Sequence, residues 1–270
     1  MIVAGIDIGS LTAKAVLLQN GQVVASHIER VRTTTLLSAR EVLDAVIAQA
    51  HISPTQIKHI CATGYGRMSI PFVHSNISEI SCHGMGTFFS NPSVRTIIDI
   101  GGQDCKVIVI DDTGMVDDFV MNDKCAAGTG RTLEIMAHTL GIDLEALGTF
   151  ALKSRRPLPI SNKCSIFMEL EVMQFLYQGK KPQHIAHGIT LSIAKRIAGL
   201  AGKITVKNNI CISGGVSKNR AVVRDIEKEM GLTFVGLAHD PQVMGALGAA
   251  LFAQKALSKA QGKTNDLRGI

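Results

Sequence analysis

Aromatic residues are scarce in this chain of 270 residues, which contains no tryptophan and only two tyrosines. Proteins that bind nucleic acid commonly stack bases on such rings and cluster their basic residues. Here the lysines and arginines are dispersed, although the net charge is +6 and the pI is near 9.1. These features argue against nucleic acid as the ligand of this protein. An acidic small ligand such as a nucleotide accounts equally well for the excess of basic residues.

Long apolar runs are lacking as well, since no stretch of 18 apolar residues occurs anywhere. The first segment, MIVAGIDIGS, carries an aspartate within its apolar run and has no basic region before it. We therefore expect a soluble, cytoplasmic protein without a membrane partner. With 46% apolar residues, the chain is long enough for a substantial core, and two compact halves are the favoured arrangement.

No C-x-x-C pair is present, so the cysteines do not form a disulfide framework. Two of them lie in apolar runs predicted as strands and a third opens such a run, which makes a small buried hydrophobe the default role for these three. A fourth is ambiguous, and the last two precede predicted helices in polar surroundings. The two in apolar runs are Cys61 and Cys211, the third is Cys105, the ambiguous one is Cys82, and the last two are Cys125 and Cys164.

Two segments repeat one pattern of strand, tight turn, strand, turn and strand. The first is IVAGIDIGSLTAKAVLLQNGQVVASHIE and the second is TIIDIGGQDCKVIVIDDTGMVDDFVMN. Their openings align at an offset of 92 residues, IDIGSLTAK over IDIGGQDCK, with five identities in nine. One copy alone would fit an ordinary turn equally well, whereas two matching copies predict a duplicated α/β protein with a functional turn in each half.

Each turn combines the groups that phosphate and Mg²⁺ require. Glycine lets backbone N–H groups approach phosphate oxygens, and an aspartate at a strand end holds Mg²⁺ through water or orients an attacking water. The candidate catalytic residues are Asp7, Asp99 and Gln103. The candidate nucleotide ligands of the turns are Gly9, Ser10, Leu11, Thr12 and Lys14 in the first copy, and Gly101, Gly102, Gln103 and Asp104 in the second.

Three further segments are candidates for nucleotide binding. NDKCAAGTGR holds a glycine-rich turn suited to phosphate, ICISGGVSKN is a strand followed by glycines and a helix near residue 219, and DPQVMGALGAALFAQKAL is a small-residue helix that packs closely. The second of them suits the flat face of a base or ribose. Their candidate ligands are Gly128, Thr129 and Gly130, then Gly214, Gly215, Val216 and Asn219, and finally Gln242.

These pieces, in this order, resemble the actin, hexokinase and Hsp70 ATPase superfamily. GIDIGSLTAK and IIDIGGQDCK resemble its two phosphate motifs, ICISGGVSKN its adenosine motif, and the segment around Gly245 and Gly248 its second connecting helix. The resemblance implies a duplicated ribonuclease H-like fold of two lobes with a nucleotide cleft between them. We expect residues 1–94 with the helix 241–257 in the first lobe, residues 95–240 in the second, and a loose polar tail at 258–270.

ATGYGR, MNDKCAAGTGR and NKCSIFMELEV resemble a narrower branch, the BadF/BadG/BcrA/BcrD type. It comprises the activators of 2-hydroxyacyl-CoA dehydratases and the ATPase subunits of benzoyl-CoA reductase. The resemblance implies a homodimer that shares one [4Fe-4S] cluster through Cys125 and Cys164 of each subunit. It also implies that ATP with Mg²⁺ drives one electron from ferredoxin or flavodoxin to an iron–sulfur dehydratase or reductase.

Both cysteines lie near predicted helix starts, where N–H groups stabilise a thiolate. A cubane cluster takes four thiolates, and a two-fold axis would supply them from two per chain. Alternatives remain at this stage: two packed cysteines without a metal, tetrahedral zinc at the same positions, a small-molecule kinase of the same superfamily, and a non-redox nucleotide sensor. The chain departs from the family pattern around Leu170, where SIFMELEVMQF is more apolar, and in the histidine-bearing segment HIAHGITLSIAKRI.

Overall fold

The computed structural model describes residues 1–122, 127–161 and 164–266, with side chains as far as residue 259. The chain divides into two compact units. Unit 1 comprises residues 1–93, 110–116 and 237–270, and unit 2 comprises residues 94–109 and 117–236. The short turn at 110–116 thus groups with unit 1, although it lies within the range expected for the second lobe.

Unit 1 contains a mixed five-stranded sheet in the order β3-β2-β1-β4-β5. Its strands are β1 (Ile2–Ile8), β2 (Thr12–Gln19), β3 (Gln22–Arg30), β4 (Ile57–Thr63) and β5 (Ser75–Asn76). The first three are antiparallel neighbours, whereas β4 runs parallel to β1. Asn20 and Gly21 form the tight turn between β2 and β3 with φ of 52° and 82°, the conformation that a two-residue hairpin turn requires.

The helices of unit 1 cover this sheet. They are α1 (Thr35–Gln49), α2 (Glu79–Ser90) and, at the end of the chain, α8 (Met244–Asp266). Helix α1 begins where the Thr34 side chain accepts from the Leu37 amide, and it buries the apolar positions Ala39, Val42, Leu43 and Val46, one face at helical spacing.

Glycines let α8 lie directly on its neighbours. A Cβ on Gly5 of β1 would lie 1.9 Å from the Ala246 carbonyl oxygen, and one on Gly248 would lie 1.8 Å from the Cys82 carbonyl oxygen. The predicted small-residue helix therefore packs as closely as its composition indicates. Residues 258–266, the first part of the expected polar tail, continue α8 as helical backbone to Asp266.

Unit 2 repeats the strand arrangement of unit 1 and adds more helices. Its four-stranded sheet has the order β8-β7-β6-β9. The strands are β6 (Thr96–Ile100), β7 (Cys105–Ile110), β8 (Val116–Asn122) and β9 (Ile210–Ser213). The helices are α3 (Gly130–Leu140), α4 (Leu144–Leu152), α5 (Ser165–Tyr177), α6 (Pro182–Ala201) and α7 (Arg220–Met230).

The two sheets share one topology. In each, an antiparallel hairpin, β1-β2 or β6-β7, is extended by a third strand on one side and by a parallel strand, β4 or β9, on the other. The equivalent registers pair Asp7 with Lys14 and Asp99 with Lys106. The predicted duplicated α/β fold is therefore confirmed.

Helix α6 forms the centre of the unit 2 core, where it packs against α4 and α7. Within the part of the chain that the structure describes, no single helix is long and apolar enough to cross a membrane. Helices α3 and α4 meet that test of length and composition only as a pair bent by 80°.

Candidate functional site: two phosphate-type hairpins and a cysteine-bearing helix start

The first hairpin turn brings a carboxylate and an ammonium together. Asp7 is the next-to-last residue of the buried strand β1, and Lys14 on β2 donates from Nζ to Asp7 Oδ2 at 3.1 Å. The turn is closed by the Gly9 amide, which donates to the Thr12 carbonyl oxygen at 3.1 Å. Ser10 and Leu11 form the tip and are partly exposed. All the candidate ligands of this turn therefore lie at one end of one hairpin.

The second hairpin turn repeats this geometry with one more charge. Lys106 donates to Asp99 Oδ2 at 3.4 Å, and the Gly101 amide donates to the Asp104 carbonyl oxygen at 3.0 Å. Lys106 also forms an ion pair with the Asp104 carboxylate. All three charged side chains are buried, whereas Gln103 is exposed at the tip.

Sequence reasoning overlooked Lys106 as a site residue. The signal was available, because the lysine is the fifth identity in the aligned openings. In the structure Lys106 is 1% exposed, whereas the side chain of Lys14 is 12% exposed. The two lysines are thus equivalent by register but differ in burial and in the number of carboxylates they face.

A glycine with positive φ follows the parallel strand in each unit. Gly64 follows β4 with φ of 84°, and Gly214 follows β9 with φ of 83°. A Cβ on Gly64 would lie 2.4 Å from Asp7 Oδ1, and one on Gly214 would lie 3.0 Å from Asp99 Oδ1. Both positions therefore require glycine for two reasons: the left-handed backbone and the close approach to a carboxylate. The sequence analysis named Gly214 and missed its partner Gly64.

Two more groups of unit 1 lie beside Asp7. Gly245 is in the first turn of α8, and a Cβ on it would lie 3.0 Å from Asp7 Oδ2 and 3.1 Å from Nε2 of His83. His83 is buried on α2. Sequence reasoning missed this histidine, since nothing local to EISCHGMG indicates that its helix faces the end of β1.

The glycine-rich turn before α3 is tied to the second hairpin. The amides of Gly130 and Arg131 donate to the carbonyl oxygens of Gly101 and Gly102 at 2.9 and 2.8 Å. Gly128 has φ of 89°, and Thr129 is the N-cap residue of α3 and fully buried. The predicted turn 128–130 and the predicted turn 101–104 are therefore in direct contact.

The remaining nucleotide candidates of unit 2 follow Gly214. Gly215 is exposed, Val216 is buried in the unit 2 core, and Asn219 is the N-cap of α7, whose Oδ1 accepts from the Ala221 and Val222 amides at 3.2 Å each. The helix thus begins where the sequence predicted. In unit 1, Gln242 is partly exposed, and its backbone amide donates to the Asp240 carboxylate at 2.8 Å in the turn before α8.

The cysteines separate by burial. Cys61, Cys82, Cys105 and Cys211 are all buried. Burial raises the pKa of each of these thiols, and raises that of Cys105 to about 11, which keeps them protonated. This confirms the buried role predicted for three of them and resolves Cys82 in the same way.

Cys164 differs, because it is partly exposed and is the N-cap residue of α5. This position at a helix start is the one that the sequence predicted. Cys125 lies outside the described residues.

Comparison with known proteins identifies the family of this chain. The model of the BadF/BadG/BcrA/BcrD ATPase family matches residues 4–253. A 2-hydroxyisocaproyl-CoA dehydratase activator from Clostridioides difficile is 40% identical over 99% of this chain and 100% of its own length. An activator of lactoyl-CoA dehydratase from Anaerotignum propionicum is 42% identical over 96% of this chain and 100% of its length.

Solved structures give the same result. The activator of the 2-hydroxyisocaproyl-CoA dehydratase from Clostridium difficile, solved with bound ADPNP, matches with a TM-score of 0.92 and 40% identity, over 97% of this chain and 98% of that one. A ROK family glucokinase from Streptomyces griseus shares the fold alone, at 13% identity and a TM-score of 0.54, over 94% of this chain and 100% of that one. The chain therefore belongs to the BadF/BadG/BcrA/BcrD ATPase family.

Proposed function

We propose that this protein is an ATP-dependent one-electron activator of an iron–sulfur 2-hydroxyacyl-CoA dehydratase or acyl-CoA reductase, with ferredoxin or flavodoxin as its electron donor. The observation that carries the proposal is the full-length similarity to proteins named as dehydratase activators, 40% over 99% of the chain. The duplicated hairpins support ATP hydrolysis, and the partly exposed thiol of Cys164 at a helix start supports a metal cluster. The similarity to a kinase is confined to the fold.

The hairpin turns supply the phosphate and magnesium groups in this proposal. Asp7 in the first turn and Asp99 in the second would hold Mg²⁺ through water, and their carboxylates would orient the attacking water. The Gly9 and Gly101 amides close their own turns. The backbone amides of the tip residues that follow Gly9 and Gly101 therefore remain as the phosphate donors. Lys14 adds a cation, and the exposed Gln103 adds its side-chain amide.

The nucleoside is assigned to the segment after β9. Gly214 and the exposed Gly215 present a backbone without side chains, which suits the flat face of a base or ribose. Asn219 serves mainly to cap α7, so its part in binding is to fix the position of that helix start. Gln242, the remaining candidate ligand, offers a partly exposed side-chain amide in unit 1.

Cys125 and Cys164 are the proposed ligands of a [4Fe-4S] cluster, which when bound supplies a low-potential electron. Cys164 fits this role, because its thiol is partly exposed and lies at the N-terminus of α5, where free N–H groups can donate to a metal-bound sulfur. The four other cysteines are unsuitable, since burial holds them as thiols. Two ligands per chain require a second copy to complete the four.

An apolar stripe on α5 supports this homodimer. Starting two residues after Cys164, large side chains at helical spacing are exposed to solvent. They are Ile166 at 67%, Phe167 at 62%, Leu170 at 55%, Met173 at 39% and Tyr177 at 87%. With most of this exposed area covered, two facing copies would bury on the order of 1,000 Å², which is about the minimum for a specific interface. The apolar departure from the family pattern around Leu170 then has a physical role.

Contacts within unit 2 support a route from nucleotide to cluster. The Gly130 and Arg131 amides hold the start of α3 to the carbonyls of Gly101 and Gly102. A shift of the second turn on loss of the γ-phosphate is therefore transmitted to the turn 128–130, three residues after Cys125. A ligand changes a structure only through such differential contacts.

The test is anaerobic purification followed by iron analysis and EPR spectroscopy with ADP and with ATP. We expect brown protein with about four irons per dimer, and a spectrum that changes with the nucleotide. Cys164→Ser should lose the iron and keep nucleotide binding, whereas the control Cys61→Ala should keep both. Colourless protein after cluster reconstitution would refute the electron-transfer function and favour a kinase, and zinc in place of iron would favour a structural site.

Dimer formation is tested by light scattering. Leu170→Glu should give a monomer that holds no iron, because a charge would be placed in the apolar stripe. Leu152→Glu, which changes another exposed leucine of unit 2, is the matched control and should remain dimeric. Equal behaviour of the two variants would count against α5 as the dimer surface.

A further inference from the structure

The carboxylate of Asp99 is held on both of its oxygens by side chains of unit 2. Ser213 donates from Oγ to Asp99 Oδ1 at 2.7 Å, and Lys106 donates from Nζ to Oδ2 at 3.4 Å. Ser213 and Asp99 are 0% and 2% exposed. A hydrogen bond to an ionised acceptor is stronger than one between neutral groups, and this one is short and shielded from water.

The backbone brings the Ser213 hydroxyl to this place. Strands β6 and β9 are parallel neighbours whose register pairs Asp99 with Ser213. The next residue, Gly214, lies against the end of β6, since a Cβ there would lie 2.3 Å from the Ile100 carbonyl oxygen. The close approach of the two strand ends therefore depends on Gly214, and it leaves the serine side chain facing the carboxylate.

The equivalent hydroxyl of unit 1 has a different partner. Thr63 ends β4 and pairs in register with Asp7, as Ser213 pairs with Asp99. Its Oγ1 donates to the Ile77 carbonyl oxygen at 2.9 Å. A hydroxyl at this register position therefore does not have to bind the aspartate, and the contact in unit 2 is specific to Asp99.

We propose that Ser213 is a positioning residue, whose hydroxyl holds the Asp99 carboxylate in the orientation used in ATP hydrolysis. The inference rests on the proposed role of Asp99 toward Mg²⁺ and the attacking water. Without the hydroxyl, Oδ1 loses a donor while Lys106 still attracts Oδ2, so the carboxylate turns toward the lysine. Replacing a residue that orients a metal-binding group in this way typically costs about 10- to 100-fold in metal affinity or activity.

The test is steady-state ATP hydrolysis by the full-length protein with Ser213→Ala. We expect kcat to fall roughly 10- to 100-fold, KM for ATP to stay near the wild-type value, and the Mg²⁺ concentration for half-maximal rate to rise. Ser213→Thr keeps the hydroxyl and should restore most of kcat, since Thr63 shows that this backbone position accepts threonine. Thr63→Val is the matched control in the other unit and should keep kcat.

Asp99→Asn is the reference for the proposed role of Asp99 and should be inactive. If Asp99→Asn is inactive while Ser213→Ala keeps wild-type kcat and Mg²⁺ dependence, only the positioning role is overturned. Equal loss in Ser213→Ala and Thr63→Val would overturn it too, because it would indicate a structural effect. If Asp99→Asn is fully active, the proposed role of Asp99 itself fails. Should Ser213→Ala not fold, Ser213→Cys replaces a strong donor by a weak one, and full activity in that variant would overturn the inference.

Discussion

Replacing Lys106 by methionine should destabilise unit 2 far more than the same change at Lys14 destabilises unit 1. Methionine keeps the length of the side chain and removes its charge. Lys106 is 1% exposed and faces two buried carboxylates, Asp99 at 3.4 Å and Asp104 in direct contact. Removing one partner of a buried ion pair costs about 3–5 kcal/mol, because the remaining charge stays in a poorly solvated place.

The same substitution at Lys14 is the comparison for this prediction. Its side chain is 12% exposed and pairs with one carboxylate, Asp7, at 3.1 Å. Water reaches this pair, so we expect a loss of about 1.5–3 kcal/mol, the range for a hydrogen bond to a charged group. The difference between the two variants follows from burial and from the second aspartate, because the register of the two hairpins is the same.

The assay is urea unfolding followed by circular dichroism, with both variants and the wild type measured at pH 7. A double variant, Lys106→Met with Asp104→Asn, removes a charge of each sign and should recover part of the lost free energy of unfolding. Equal losses in Lys106→Met and Lys14→Met, or a stability of Lys106→Met within error of wild type, would refute the reasoning from burial.

Three further predictions concern packing, pH and thiol reactivity. Gly248→Ala should destabilise the protein by about 1–3 kcal/mol or more, because its Cβ would meet a carbonyl oxygen at 1.8 Å. Gly199→Ala, where nothing lies within 4 Å of the added Cβ, should stabilise helix α6 by about 0.5–1 kcal/mol. Thermal unfolding distinguishes the two variants, and a tolerated Gly248→Ala would contradict the close helix packing. Burial, and secondarily the neighbouring His74, lowers the pKa of His59, so the unfolded chain binds more protons and stability falls as the pH drops through the unfolded value of about 6.5. His59→Gln should show a smaller loss between pH 7 and pH 5, and an unchanged loss would argue against a neutral, half-buried imidazole. Iodoacetamide at pH 8 should modify Cys164 in the iron-free protein and should not modify Cys105, because burial raises the pKa of the Cys105 thiol to about 11. Mass spectrometry of the labelled peptides measures this. Rapid labelling of Cys105 would contradict its burial.

Features that depend on local sequence were predictable. Alternating and continuous apolar runs bounded by Asn-Gly and Asp-Thr-Gly indicate hairpins, and the repeated IDIG opening indicates the duplication. The helix start at Asn219 and the position of Cys164 at the start of α5 follow from capping and polarity patterns over a few residues. Such signals are carried by neighbours in the chain, so no knowledge of the rest of the molecule is needed to interpret them.

Contacts between distant segments were not predictable in the same way. Gly64 and Gly245 both lie against Asp7, although one follows a parallel strand and the other belongs to a helix more than 230 residues further along the chain than Asp7. Likewise, the turn before α3 is bound to the turn after β6 by two backbone hydrogen bonds, which leave no trace in residue type. Parallel pairing joins strands that are far apart in sequence, and its register is set by packing across the whole sheet.

The sequence by itself therefore determined the duplicated strand and turn units, the acidic residue at the end of each first strand, and the cysteine at a helix start. The tertiary structure decided how these residues differ. The two aspartates are identical in sequence context, yet Asp99 has Lys106 and the Ser213 hydroxyl on its two oxygens, while the equivalent Thr63 hydroxyl turns to a carbonyl. The physical reason is that the partners of a buried carboxylate are donors on other strands. Only the folded sheet determines which donors lie within hydrogen-bonding distance.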